Sequence, residues 1–329
     1  MSSDKATVVL VTETEFRRAP QVFESADGLR CVAVPGAEAA LARAIVEHGA
    51  RCVVVGSVKY EGALYDTLPR GGVIARFGVG HDAIDKKKAT QAGLLCTNTP
   101  EVLDESVAEH AVLLMLAAAR RLPALTAEMR QGNWALGPAG VELCGKTLAI
   151  IGSGRIGQAT ARIAVRGFGM RAIGCRRRAA ASDEMGDCAQ VTTDFAAAVR
   201  EADFVSLHIN AEPANLRFLN QERLSMIAPR AWLINTARGA VVDEQALYDA
   251  LSDGRLAGAA LDVFDREPYV PANPARDLRT LPNVVLTPHV GSHTSEANRG
   301  MASRALENVR RALARDFGGM DLVNPEVIR

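Results

Sequence analysis

The chain has 329 residues, 48% of them hydrophobic and 23% charged, with 38 basic side chains against 38 acidic ones. Those values exclude a disordered or fibrous chain, and the lack of a basic excess argues against a general nucleic-acid binder. The length is enough for two domains, each with its own core. The longest apolar run, Ala111–Ala119, is far short of the ~20 residues that a spanning helix needs, so no membrane partner is expected. The N-terminal MSSDKATVVL has no basic segment leading into a long apolar one, so no signal peptide is expected. Six cysteines are scattered without a CxxC pair. No zinc cage or other metal site is therefore expected, and reduced thiols point to the cytoplasm.

In chain order, β-branched runs predict strands at Thr7–Val11, Arg30–Val34, Cys52–Val55, Val73–Arg76 and Leu94–Cys96. Ala37–His48 has helical composition and stops at Gly49, a good C-cap residue. Strands alternating with helices imply a parallel sheet covered by helices. Thr97–Glu105, with Asn98, Pro100 and Asp104, predicts a linker. Ser106-Val107-Ala108-Glu109 has the form of a capping box, predicting a helix from Ser106 to about Leu122-Pro123. A domain crossing is placed at this linker. Gln131–Gly145, holding Trp134 and Pro138, predicts an irregular arm, with Trp134 filling a core or an interface. Six more strands are predicted near Thr147–Ile151, Arg171–Cys175, Asp203–His208, Ala231–Asn235, Gly258–Asp262 and Val284–Thr287, as in a doubly wound domain. A last helix is predicted over Thr294–Phe317.

The strand Thr147–Ile151 runs into Gly152-Ser153-Gly154-Arg155-Ile156-Gly157 and then into helix-forming Gln158–Val165. GxGxxG between a strand and a helix is the dinucleotide-binding pattern. Gly152 allows the tight turn, Gly154 the approach of a pyrophosphate, and Gly157 the packing of helix on strand. The helix N-terminus supplies N–H groups and a positive dipole end. An acid that bonds the adenine ribose normally follows about 20 residues on. Nineteen residues after Gly157 stands Arg176, in the run Arg176-Arg177-Arg178, and no acid appears until Asp183. Guanidinium pairs with a 2′-phosphate where a carboxylate repels it. NADP(H) is therefore the expected cofactor, with NAD(H) second.

Three later segments place ionisable groups just past predicted strands: Asn235-Thr236-Ala237-Arg238-Gly239, then Asp262 through Glu267-Pro268, then Thr287-Pro288-His289-Val290-Gly291. Ligands of open α/β sheets bind beyond the carboxyl ends of strands. By histidine counting alone either His289 or His293 could be an acid; the Thr-Pro-His context favours His289. His48, His81 and His110 are assigned structural or surface roles.

With Gly78-Val79-Gly80-His81-Asp82-Ala83-Ile84-Asp85, Asn98-Thr99-Pro100 and Val107-Ala108-Glu109, these segments make nearly the whole chain resemble the D-isomer-specific 2-hydroxyacid dehydrogenase family, most nearly its glyoxylate/hydroxypyruvate reductase branch. The resemblance implies an α/β fold of two Rossmann-like domains. A doubly wound NAD(P)-binding domain would span 101–290. A smaller, flavodoxin-like substrate domain would comprise 1–100 plus 291–329, with hinges near Asn98–Asp104 and His289–Ser292 and a cleft closing on substrate. It implies a triad. His289 would donate a proton to the 2-keto oxygen, Glu267 would hold the imidazole ring, and Arg238 would bind the substrate carboxylate. Gly56, Val79 and Gly80 would contact substrate. Gly152, Gly154, Arg155, Ile156, Gly157, Arg176, Arg177, His208, Thr236, Ala237, Arg238, Asp262 and His289 would contact the cofactor, Asp262 at the nicotinamide carboxamide. Asn210 and Asn215 stand where the family usually has Pro and Thr. The implied activity is NADPH-dependent reduction of a small 2-keto acid to a D-2-hydroxy acid by a homodimer built on the nucleotide domain, with Trp134 on an arm at the dimer contact. The alternatives are another 2-hydroxyacid specificity, such as a phosphoglycerate dehydrogenase without room for regulatory extensions, or a nucleotide-sensing corepressor. Formate oxidation is disfavoured because Glu267 stands where Gln would pair with the histidine.

Overall fold

A computed structural model describes residues 6–134, 137–178 and 186–328. The chain divides into two compact units, Met1–Leu103 with His293–Arg329, and Asp104–Ser292.

The first unit is built on five parallel strands: β1 (Thr7–Thr12), β2 (Leu29–Val34), β3 (Cys52–Val55), β4 (Val73–Arg76) and β5 (Leu95–Thr97). Their order is β2-β1-β3-β4-β5, the flavodoxin-like winding. One face packs Leu10, Val53, Val55, Ile74 and Cys96 against Leu41, Ala44 and Ile45 of the Glu38–His48 helix. That helix ends where Gly49 turns left-handed, φ +58°. The Ser295–Leu313 helix belongs to this unit and buries Met301, Ala302, Ala305 and Val309. It is shorter than the run to Phe317 predicted from composition, because a separate 3-10 turn forms at Phe317–Gly319. Thr97, read from sequence as linker, is the last residue of β5 and bridges Leu322. The tail thus covers an edge strand, and Val323 N–H donates to Cys96 O at 2.9 Å.

The second unit holds a seven-stranded sheet: β6 (Thr147–Ile151), β7 (Arg171–Cys175), β8 (Gln190–Thr192), β9 (Phe204–Leu207), β10 (Trp232–Asn235), β11 (Gly258–Leu261) and β12 (Val284–Leu286). The order is β12-β11-β10-β9-β6-β7-β8, with every pair parallel. Counted from β6 this is the doubly wound order 3-2-1-4-5-6 with one strand added. Six strands are predicted and seven are present among the described residues. β8 has three residues, none fully buried, so no apolar run marks it. The inner strands are mainly apolar because helices cover both faces, with Ser206 and Asn235 among the buried polar exceptions. Ile151, Val205, Leu233 and Ala259 point to one core. Leu148, Ile150, Phe204 and Ile234 point to the other, where they meet Leu114 and Met115 of the Asp104–Ala119 helix and Ala161 and Ala164 of the Arg155–Phe168 helix.

The Asp104–Ala119 helix corrects two sequence expectations. It begins two residues before Ser106, since Asp104 and Glu105 supply the first-turn acids that the helix dipole favours. It ends at Ala119 rather than near Pro123. Arg121 is left-handed, φ +54°, and Pro123 lies in the first turn of a new helix, Leu122–Arg130, where its missing N–H costs nothing. Among the described residues no helix is long and apolar enough to cross a membrane.

The loop after β10 lies directly on the loop after β11. A Cβ added at Gly239 would collide with the Phe264 carbonyl group and the Asp265 nitrogen, all backbone atoms that cannot swing aside. Gly239→Ala should lower the unfolding free energy by about 1–3 kcal/mol, the usual cost of overpacking. Urea unfolding of both proteins checks this; an unchanged midpoint with an unchanged slope would contradict the contact.

Candidate functional site

Strand register builds a common edge. Cys175, Ile151, Leu207, Asn235, Leu261 and Leu286 pair in one row across β7, β6, β9, β10, β11 and β12. The next residue on each strand is therefore Arg176, Gly152, His208, Thr236, Asp262 and Thr287. All six follow the carboxyl ends of parallel strands, where ligands of such sheets bind.

At the centre, Gly152 adopts φ +110°, open to glycine and strained for other residues. A Cβ on Gly157 would strike Gly152 O, so the helix can start this close to the strand only without a side chain there. A Cβ on Gly154 would meet open space. The Arg155–Phe168 helix begins with Gly154 as N-cap, so Arg155, Ile156 and Gly157 form its first turn. Beside the turn, His208 Nε2 lies 2.8 Å from Ser206 Oγ. His208 Nδ1 and, one strand further, Thr236 Oγ1 are buried with no protein partner among the described residues. Buried polar atoms without partners are rare in folded proteins. Two of them on the edge that carries the glycine turn fit a polar ligand such as a dinucleotide.

Arg176 is half-buried directly past β7, its N–H donating to Thr192 O at 3.0 Å. Arg177 and Arg178 are exposed, and Arg177 stands 3.9 Å from Glu212, an exposed pair of little energetic weight. Asp183 lies outside the described residues. Asn215 Nδ2 donates to both the carbonyl and the side-chain oxygen of Asn210, at 3.0 and 2.8 Å, so these two asparagines tie their own loop together.

At the other end of the row, His289 Nδ1 donates to Glu267 Oε2 at 2.6 Å, and Glu267 Oε1 accepts the Phe264 N–H at 3.1 Å. The carboxylate is thus fixed at both oxygens, and the imidazole is left with Nε2 for other partners. Both side chains are about one-third exposed. The Arg238 loop is shaped by Asn235, which is buried. Its Oδ1 accepts from Ala237 N–H at 3.0 Å and its Nδ2 donates to Arg238 O at 2.9 Å. His293 belongs to the other unit, where its Nδ1 lies 3.1 Å from Asn298 Nδ2.

Asp262 lies at the end of β11, inside the edge. It is 1% exposed, and its carboxylate takes four protein donors. Oδ1 accepts from Thr287 Oγ1 at 2.6 Å, Val290 N at 2.9 Å and His110 Nε2 at 3.3 Å, and Oδ2 accepts from Gly291 N at 2.8 Å. Burial acts to raise its pKa, but these hydrogen bonds outweigh it and hold the carboxyl below its usual range. The His110 contact is not legible in sequence, where residue 110 has only a place on an apolar helix. Trp134, expected in a core or interface, is 88% exposed in this chain.

In the first unit Gly56 directly follows β3, and Val79 and Gly80 lie in the loop past β4. Thr99 anchors that loop, its Oγ1 accepting the Gly78 N–H at 3.0 Å and its own N–H donating to Gly78 O at 3.1 Å, while Asn98 Nδ2 donates to Val79 O at 2.8 Å.

Burial lowers the His208 pKa from 6.5 to about 4. Between those values the unfolded chain binds a proton that the folded chain refuses. Stability should therefore fall as pH drops from about 6.5 towards 4. His208→Gln should flatten that slope. Urea midpoints at pH 7, 6 and 5 test this, and parallel slopes for the two proteins would place His208 in water.

The model of the D-isomer specific 2-hydroxyacid dehydrogenase NAD-binding domain matches residues 112–291. The glyoxylate reductase of Thermococcus litoralis is 41% identical over 280 residues, covering 82% of each chain. A crystal structure of the NADPH-dependent glyoxylate/hydroxypyruvate reductase of Sinorhizobium meliloti, in complex with NADP and malonate, superposes with a TM-score of 0.83 at 29% identity, covering 98% of each chain. The D-lactate dehydrogenase of Aquifex aeolicus, complexed with NAD and lactic acid, superposes with a TM-score of 0.80 at 27% identity, covering 96% of this chain and 99% of the other. With two wound parallel sheets, a strand–glycine turn–helix and a histidine–carboxylate pair on one sheet edge, this chain belongs to the D-isomer specific 2-hydroxyacid dehydrogenase family and is an NAD(P)-dependent oxidoreductase.

Proposed function

We propose that this enzyme reduces a small 2-keto acid of the glyoxylate or hydroxypyruvate type to the D-2-hydroxy acid, with NADPH as the preferred reductant. The carrying observation is the 2.6 Å His289–Glu267 pair on the edge that also bears the glycine turn. When bound, the reduced nicotinamide supplies the hydride that reaches the substrate C2. His289 donates its Nε2 proton to the 2-keto oxygen. Glu267 accepts the Nδ1–H and keeps the ring aimed. Arg238 takes the substrate carboxylate and polarises the keto group. Gly56, Val79 and Gly80, in the loops past β3 and β4, are substrate contacts in this proposal. Gly152, Gly154, Arg155, Ile156 and Gly157 hold the pyrophosphate at the helix N-terminus. The partnerless His208 Nδ1 and Thr236 Oγ1, with Ala237, serve the rest of the cofactor. Arg176, with Arg177, takes the 2′-phosphate. The Thermococcus and Sinorhizobium relatives, named for glyoxylate and for NADPH, support this reading.

The enzyme works as a cytoplasmic homodimer in this proposal. Leu122, Met129, Trp134 and Val141 are exposed apolar side chains within one stretch of the second unit. Exposed apolar side chains are costly in water, and burying these four against a second copy would relieve that cost.

The assay follows reduced-nicotinamide absorbance with glyoxylate, hydroxypyruvate and pyruvate, each with NADPH and NADH. Faster turnover of glyoxylate or hydroxypyruvate with NADPH is expected. Arg176→Ala should raise the KM for NADPH roughly 10- to 100-fold, the worth of a charge-assisted bond, and leave that for NADH unchanged. A preference for NADH in the parent enzyme would sink the phosphate role. Sedimentation should give a dimer that Met129→Asp with Trp134→Ala converts to monomer; a parent monomer would remove the interface.

A further inference from the structure

The loop that carries His289 is organised around one carboxylate. Three successive backbone N–H groups end on Asp262: His289 N on its carbonyl oxygen at 2.8 Å, Val290 N on Oδ1 at 2.9 Å and Gly291 N on Oδ2 at 2.8 Å. Successive N–H groups converging in this way form a nest for negative charge. His289 pays for the geometry with a left-handed backbone, φ +53°, a conformation that costs a non-glycine residue energy and persists only where its surroundings impose it.

What orients the carboxylate is His110, on the Asp104–Ala119 helix. His110 Nε2 lies 3.3 Å from Asp262 Oδ1 and 3.1 Å from Thr287 Oγ1. Thr287 has already committed its hydroxyl hydrogen to Asp262 Oδ1 at 2.6 Å, and an ionised carboxylate only accepts. Both neighbours of Nε2 are thus acceptors, so Nε2 carries hydrogen and donates to both. The imidazole also packs on Gly291, where an added Cβ would sit 3.5 Å from His110 Cδ2 and 3.1 Å from Asp262 Oδ2. The ring therefore contacts Asp262 and both ends of the 287–291 loop.

We infer that His110 is a positioning residue for the proton donor: its Nε2–H locks Thr287 and Asp262, and through them the backbone that aims His289. The inference rests on His289 being the proton donor. Displacing a catalytic group by about 1 Å can cost a hundredfold in rate, so the effect belongs in kcat at saturating keto acid and cofactor.

The test compares His110→Gln, which can still donate from its side-chain amide, with His110→Leu, which cannot. Thr287→Val removes the bridging hydroxyl from the other side, and His289→Ala is the reference. Each is measured for kcat and KM with glyoxylate and NADPH, for NADPH affinity by fluorescence and for thermal midpoint. His110→Leu and Thr287→Val should each lower kcat roughly 10- to 100-fold with NADPH affinity kept. His110→Gln should recover most of the loss. If His110→Leu does not fold, the Thr287→Val and Gln results decide. A His110→Leu or Thr287→Val enzyme with parental kcat, beside a dead His289→Ala, overturns this inference and leaves the proton-donor reading standing. An active His289→Ala removes that reading and this inference with it. A fall in thermal midpoint alone would make His110 merely structural.

Discussion

Everything chemical in the second unit hangs from the register of its parallel strands. Parallel pairing in step brings six strand ends level, from Cys175 to Leu286. The residues just past those ends are then neighbours along an edge, although the chain visits them far apart. The ladder continues one step beyond the strands: Gly152 N–H donates to Cys175 O, His208 N–H to Ile151 O, Asp262 N–H to Asn235 O and Thr287 N–H to Leu261 O. A slip of one residue in any strand would exchange its side chains between the two cores and shift the loop that follows it. Burial of both sheet faces therefore enforces the site's geometry as a by-product of core packing.

The edge is divided by chemistry. The glycine turn places backbone close to backbone, and the helix it starts presents a positive end. The β10, β11 and β12 loops instead gather charged side chains. Two devices hold them. Gly239 lets the Arg238 loop lie on the backbone at Phe264, and Asp262 collects the N–H groups of the His289 loop. Both devices use a buried element to fix a half-exposed one. The partly exposed partners, Glu267 and His289, gain rigidity while staying open to solvent.

Much of this was legible residue by residue. Cys52–Val55, Val73–Arg76, Thr147–Ile151 and Arg171–Cys175 form strands with the bounds their apolar runs predict. Their burial on both faces makes the hydrophobic signal continuous and easy to delimit. β8 leaves no such signal, because Gln190 is exposed and Val191 and Thr192 are only partly buried. The helix begun at Asp104 was misjudged at both ends. A capping motif at Ser106 competes with first-turn acids just upstream, and a proline reads as a stop when it is the start of the next helix.

The sequence by itself determined the alternation of strands and helices, the glycine turn, the arginine past β7 and the identities of Arg238, Glu267 and His289. Each is a local matter of a few consecutive residues, where propensity, steric freedom and charge act directly. The tertiary structure alone decided that Asp262 is a buried hub and that His110, 177 positions before Thr287, meets it there. It also decided that Asn235 shapes the arginine loop from inside the sheet and that His208 is pushed to about 4. Those are consequences of desolvation and of partners brought together by sheet register. Neither leaves a mark in the spacing of residues along the chain.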